Sequence, residues 1–328
     1  MTVQVSLAEI KEALRGINPI PLIEEGFCAY SRGEVVVPPI GEMIFEDPPG
    51  DVHIKYGYIK GDDYYVIKIA SGFYGIERPD SYLSNGMMLL FDRRTGEPKA
   101  ILLDEGHLTN VRTAAAGAVA AKYLAPEKVV RAGILGAGVQ GRMQLEYLRR
   151  VREFSEVMVW GLTGTELNAY RSDMEPLGFR ITTTFDPGEV AASCNVIVTC
   201  TPSTKPLLLA GQVRRGTHIT AMGSDTAEKQ ELDPEILARA DRIVVDSLSQ
   251  SFQRGESYRA MLAGAITKER LVELGNVIMK PGLRRASKDE ITVADLTGVA
   301  VQDIQISKAV FEKIRVKPTL LTKRSIGG

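Results

Sequence analysis

Three glycines spaced as Gly136-x-Gly138-x-x-Gly141 are the residues whose types and spacing point most directly to chemistry. An apolar run at 129–135 leads into them, and Met143, Leu145, Leu148 and Val151 follow at helical spacing. A strand that turns through such glycines into a helix builds a cradle for phosphate. The first glycine makes the tight turn, the second lets the backbone approach a pyrophosphate, and the third lets the helix pack on the strand. The helix N-terminus then attracts the phosphate charge. A dinucleotide is expected here, held by Gly136, Gly138, Val139, Gln140 and Gly141. An ordinary strand-to-helix turn is the alternative.

Charged residues in apolar surroundings are the next candidates. Lys68 stands in Val66-Ile67-Lys68-Ile69-Ala70, where a lysine must snorkel, pair or line a cleft. Arg112 is the one charge near the start of an alanine-rich helix. Its guanidinium suits bidentate capture of a carboxylate, with a structural ion pair as the alternative. Asp225 follows the apolar run 218–222, so it lies where a parallel strand ends. A carboxylate there can exchange protons with a nitrogen or a water, and capping of a following helix is the competing reading. Cys28, Cys194 and Cys200 show no metal spacing and read as buried free thiols. His53, His107 and His218 are too scattered for a metal site, and no metal is expected.

These side chains need a framework, and 328 residues are enough for two domains with separate cores. The formal net charge of -1, with 25% charged residues, offers no basic excess for nucleic acid. No segment reads as a signal peptide or is apolar for long enough to span a bilayer, so a cytoplasmic protein without membrane contact is expected. Residues 1–30 have helical spacing broken by Pro19 and Pro21. Residues 31–104 alternate in short β-like runs separated by turns, which predicts an antiparallel sheet. A helix over 108–123 follows, and from 129 strands and helices alternate, which predicts a parallel, doubly wound sheet. A long helix over 299–315 closes the chain, and the tail after Lys317 reads as loose. The fold class is therefore α/β: a Rossmann-type doubly wound parallel sheet over 126–304, plus an N-terminal α+β domain over 1–125. The substrate is expected in a cleft at the carboxyl ends of the parallel strands. Thr199, Thr201 and Pro202 are expected beside the nicotinamide ribose. The second strand of the sheet ends in Val159-Trp160-Gly161-Leu162-Thr163-Gly164, with neither an acid for a ribose hydroxyl nor an arginine for a phosphate. Thr163 could serve either form, which leaves NAD or NADP open.

Several ordered motifs together resemble the ornithine cyclodeaminase/μ-crystallin family across nearly the full chain. They are Val66-Ile67-Lys68-Ile69, Leu108-Thr109-Asn110-Val111-Arg112-Thr113-Ala114-Ala115, the glycine-rich turn, the run from Gly223-Ser224-Asp225 through Lys229-Gln230-Glu231-Leu232, and Asp295-Leu296-Thr297-Gly298-Val299-Ala300-Val301-Gln302-Asp303. The resemblance implies an N-terminal domain that binds substrate and forms a homodimer, rejoined by the C-terminal helix, about 305–328. It makes Lys68 and Arg112 the carboxylate ligands and Asp225 the acid that handles the nitrogen or an attacking water. Lys68 and Asp225 are thus the catalytic candidates. Lys229 falls on the site wall and Val299 near the nicotinamide. The arginine that many relatives carry near Val37-Pro38-Pro39 is missing here, which puts that contact in doubt. Lys55 instead resembles members related to iminosuccinate reductase and the ectoine-utilisation dehydrogenases, as do Ser71-Gly72-Phe73 and Ser84-Asn85-Gly86; a lysine there serves a carboxylate or is a solvated strand lysine.

The function implied is an NAD(P)-dependent amino-acid dehydrogenase or imine (ketimine) reductase, moving hydride between nicotinamide and the α-carbon of a small amino or imino acid. A dicarboxylic imine would suit the extra cation at Lys55. Ornithine cyclodeaminase is the second reading; it needs a partner for a distal ammonium, for which Glu42, Glu46 and Asp47 form a candidate acidic loop, with plain solvent exposure as the favoured alternative. A non-catalytic, crystallin-like nucleotide-binding protein is the third.

Overall fold

The computed structural model describes residues 2–73 and 84–316. The tail beyond Lys317, including the end of the helix expected over 305–328, lies outside the described residues. The chain divides into two compact units, one built from Met1–Arg112 and Val299–Gly328, the other from Thr113–Gly298.

The first unit carries a seven-stranded sheet. Its strands are β1 (Val3–Val5), β2 (Val35–Val36), β3 (Gly41–Glu46), β4 (Pro49–Ile59), β5 (Tyr64–Phe73), β6 (Ser84–Asp92) and β7 (Pro98–Leu102). They lie in the order β1-β7-β6-β5-β4-β2, with β3 also on β4, and every pair is antiparallel except β1 with β7. Helices α1 (Leu7–Leu14) and α2 (Pro19–Ser31) precede β2. Ser6 and Glu9 close a capping box at the start of α1, and Asn18 caps α2. Pro19 and Pro21 therefore open a helix where the sequence reading had them break one, because first-turn amides have no intrahelical partner to lose. β1 is a further correction: three residues are too few for alternation to show, and their partner is about a hundred residues away. The supposed acidic loop is also corrected, since Glu42 and Glu46 lie in strand β3. The C-terminal helix (Ala300–Val316) packs on α2, β4 and β5, burying Val301, Ile304, Val310, Phe311 and Ile314.

In the second unit the strands are β8 (Ala132–Leu135), β9 (Glu156–Trp160), β10 (Arg180–Thr184), β11 (Val196–Thr199), β12 (His218–Ala221), β13 (Arg242–Val245), β14 (Leu271–Glu273) and β15 (Thr292–Asp295). All neighbours are parallel, in the order β10-β9-β8-β11-β12-β15-β13-β14. Alternate residues of one strand feed two cores: Val157 and Val159 join one cluster, Met158 and Trp160 the other. A sheet covered on both faces needs such continuous apolar runs, which is why β8, β9 and β11–β13 were legible. β10, β14 and β15 were not, being short or rich in threonine and acids. The order reverses between β8 and β11, which opens a crevice at their carboxyl ends. Helix α3 (His107–Leu124) leads into this unit, and α4 (Val139–Arg149) and α5 (Gly164–Met174) follow β8 and β9. Among the described residues no helix is long and apolar enough to cross a membrane.

Candidate functional site

The glycine-rich turn sits at that reversal. Gly136 has a φ of +113°, a conformation that side chains disfavour. A Cβ on Gly141 would stand 2.1 Å from the Gly136 carbonyl oxygen, so only glycine lets α4 start this close to β8. Tyr170 also donates to the Gly141 carbonyl at 3.0 Å. Gly138 is the N-cap of α4 and supplies no side-chain bond to the helix amides, and a Cβ there would meet nothing within 4 Å. The opening beside Gly138, which has no side chain to cap α4, fits a pyrophosphate. Thr163 follows β9 and caps α5 by accepting from the Glu166 amide at 3.2 Å. Neither an acid nor an arginine stands between Trp160 and Thr163.

Glu231 ties the carboxyl ends of β11 and β12 together. Its buried carboxylate accepts from the Thr199 hydroxyl (2.7 Å), the Thr201 amide (2.6 Å), the Thr201 hydroxyl (2.8 Å) and the Gly223 amide (2.9 Å). Burial pushes its pKa up to about 7 against these donors. The side chains of Thr199 and Thr201 are thus engaged with Glu231, a residue the sequence motif contained but to which no role was given. A buried glutamate beside strand-end threonines is the signal that could have found it.

Beyond Gly223 the chain forms a loop, so Asp225 does not cap a helix. Its carboxylate meets Lys229 Nζ at 2.7 Å, while Ser224 donates to the Lys229 carbonyl at 2.7 Å and Arg254 to the Asp225 carbonyl at 3.1 Å. The loop therefore holds one acid and one base together at a strand end, with Asp225 partly open to solvent.

The first unit gathers the other candidates. Lys55 on β4 and Lys68 on β5 face each other directly across the ladder, and both are buried. Lys68 Nζ lies 3.2 Å from Asp303 Oδ2, and Arg112 Nε lies 3.0 Å from Asp303 Oδ1. Arg112 Nη1 donates to Gln302 Oε1 at 3.0 Å, while the buried Gln302 Nε2 has no hydrogen-bond partner among the described residues. Burial pushes Lys68 down to about 7; Asp303 opposes that shift, and Arg112 and Lys55 add to it. Burial alone would raise Asp303, but Lys68, then Arg112 and Lys55, hold it below its usual range. Asp104, also buried, accepts from the Leu108 amide at 2.8 Å. Lys68 and Arg112 thus pair with Asp303, Lys55 acts on it from across the ladder, and Asp104 acts on Lys68 as a second buried carboxyl, a cluster of cations that suits an incoming carboxylate. Sequence reading gave no role to Gln302 or Asp303. The detectable sign is a charge, Asp303, among the first turns of a helix that is largely apolar there. Val299 is buried immediately ahead of that helix. Glu42 lies 3.3 Å from His53 across β3 and β4.

The profile of the Ornithine cyclodeaminase/mu-crystallin family matches residues 2–318. The chain belongs to this family. Among its relatives, the iminosuccinate reductase of Paracoccus denitrificans is 35% identical over 300 residues, which cover 90% of this chain and 91% of that protein. The structure of that enzyme with NAD+ bound superposes with a TM-score of 0.84 over 97% of each chain. An archaeal alanine dehydrogenase, solved as a dimer with NAD, superposes with a TM-score of 0.86 at 35% identity over 97% of each chain. The Δ1-pyrroline-2-carboxylate reductase of Thermococcus litoralis, solved with NADH and L-proline, reaches 0.90 at 26% identity, covering 96% of this chain and 98% of that one. These relatives of the family are nicotinamide-dependent oxidoreductases of amino and imino acids.

Proposed function

We propose that the chain is an NAD(P)-dependent imine reductase, equally an amino-acid dehydrogenase in the reverse direction, working as a homodimer on a small imino acid with two carboxylates. The convergence of Lys68, Arg112 and Lys55 carries this reading. The family relatives named above support the reaction class, and the archaeal dimer supports the assembly.

In this proposal the Thr113–Gly298 unit holds the cofactor, with Gly136, Gly138, Val139, Gln140 and Gly141 on the pyrophosphate, and Thr163, Thr199, Thr201 and Pro202 along the rest of the molecule. The bound nicotinamide supplies or accepts hydride at the substrate α-carbon. Lys68 and Arg112 clamp the α-carboxylate, and Lys55, directly across from Lys68, takes the second carboxylate. Asp225 exchanges the proton at the substrate nitrogen, and Lys229, 2.7 Å away, holds the Asp225 carboxylate in place between turnovers.

The experiment follows nicotinamide absorbance and free ammonia together, with both cofactors and a panel of ornithine, alanine, aspartate and their imine or keto-acid-plus-amine counterparts. Net cofactor turnover is expected, fastest with the dicarboxylic member. Ammonia released from ornithine with no net cofactor change would replace this reading with a cyclodeaminase. Nucleotide binding without turnover on any member would replace it with a binding protein.

A further inference from the structure

The parallel-sheet unit has a second concavity at its other edge. A hollow of about 800 Å³ is lined by residues that precede β8 (Lys128), β11 (Asn195), β12 (Gly216) and β15 (Arg285, Lys288). It therefore lies at the amino ends of the strands, whereas the glycine-rich turn, Thr201 and Asp225 follow carboxyl ends. Dinucleotides of such sheets bind at the carboxyl ends, so this hollow is separate from the site described above.

Its lining is strongly one-signed. Seven of the lining side chains are cationic and only Glu127 is acidic, in a chain whose formal net charge is -1. Two of the cations are partly buried guanidiniums held by neutral groups. Arg285 donates to the carbonyls of Leu124 (2.6 Å), Ser287 (3.1 Å) and Thr217 (3.2 Å) and to the Thr292 hydroxyl (3.1 Å). Arg152 donates to the carbonyls of Lys122 (2.9 Å), Ala125 (3.1 Å), Pro126 (3.1 Å) and Val151 (2.8 Å). Carbonyls fix a guanidinium in place without cancelling its charge. Burial accordingly lowers both groups, Arg285 to about 10, which leaves them protonated at neutral pH.

Of the acids nearby, Asp241 pairs with Arg215, itself one of the seven cations, and accepts from the Ile291 amide, while Glu290 pairs with Arg242 and accepts from the Ala286 amide; both also act on Arg285. At the rim, Lys128 and Lys288 are exposed, and neither makes an ion pair among the described residues. Held guanidiniums beneath exposed ammoniums, in a concave and partly desolvated wall, focus positive potential into the space between them. The volume is that of a metabolite site rather than a single-ion site.

We propose that this hollow binds a compact polyanion, a small molecule carrying two or more phosphate or carboxylate groups a few ångströms apart. The guanidiniums of Arg152 and Arg285 form its charged floor, and Lys128 and Lys288 close on the anionic groups from the rim.

The test is isothermal titration of the full chain, with excess NAD+ present to keep anions off the glycine-rich turn. Tripolyphosphate, citrate and acetate are titrated in turn, so the first two distinguish phosphate from carboxylate sources. One equivalent of at least one polyanion is expected to bind with a Kd below about 1 mM, and acetate at least about tenfold more weakly. The variant Lys128→Ala/Lys288→Ala should weaken that polyanion by about tenfold or more at unchanged thermal midpoint, while Lys60→Ala on the other unit leaves it unchanged. The two rim lysines are exposed and carry no ion pair among the described residues, so the double variant retains its fold. No binding of either polyanion at about 10 mM, or equal binding by the double variant, would overturn the proposal.

Discussion

Lys68 and Asp303 meet at 3.2 Å with both side chains almost sealed from water, one from the middle of β5 and the other from the first turn of the C-terminal helix. Asp303 also holds Arg112, so one carboxylate sets the position of two cations. A neutral amide in its place would leave both uncompensated. We expect Asp303→Asn to lower the unfolding free energy by about 3–5 kcal/mol, as loss of one member of a buried pair does. The same change should raise KM for the imino acid more than it lowers kcat. Urea denaturation and steady-state kinetics check the two arms; an unchanged midpoint would detach Asp303 from this role.

Lys68 makes the site sensitive to pH. Its folded value of about 7 lies below the model-peptide lysine value of about 10.4, so between these limits the unfolded chain holds a proton that the folded chain has released. Stability should therefore rise with pH across that window and be indifferent to this group below it. Substrate capture runs the other way, because the carboxylate needs the protonated ammonium. We expect kcat/KM, which reports the free enzyme, to fall as pH rises through about 7. Lys68→Gln should remove that limb along with most of the activity.

Gly141 and Gly138 separate packing from ligand space. Gly141→Ala drives a methyl group into the Gly136 carbonyl and should cost roughly 1–3 kcal/mol of stability as well as nucleotide affinity. Gly138→Ala meets open space and has an ordinary backbone conformation, so its thermal midpoint should hold while the Kd for NAD+ rises about tenfold or more. Equal affinities for wild type and Gly138→Ala would place the pyrophosphate elsewhere.

Asp225→Ala should abolish turnover, with kcat down by about a hundredfold or more, and leave nucleotide binding intact. Fluorescence titration with NADH beside single-turnover kinetics gives both readings. Retained turnover would remove Asp225 from the proton step.

Lys55→Ala is expected to discriminate between substrates. Loss of the second carboxylate contact should cut kcat/KM for a dicarboxylic imine by about tenfold or more and change that for a monocarboxylic one far less. Equal losses on both would assign Lys55 to the α-carboxylate or to folding.

The sequence by itself determined the parallel sheet, its glycine-rich turn and the candidate ligands Lys68, Arg112 and Asp225. Each leaves a local mark: continuous apolar runs for strands covered on both faces, glycines at fixed spacing, a charge inside an apolar run. Tertiary structure decided what these residues touch. β1 pairs with β7 from about a hundred residues away along the chain, and Asp303 reaches Lys68 from the C-terminal helix, so neither contact leaves a local pattern to read. Lys55 drew notice only through a family likeness, because an isolated lysine in a strand ordinarily faces solvent. The β4–β5 register turns it inward beside Lys68. Glu231 shows the same limit. Its carboxylate is stable when buried only because four donors from two strand ends and one loop converge on it, and that convergence exists only once the strands lie side by side.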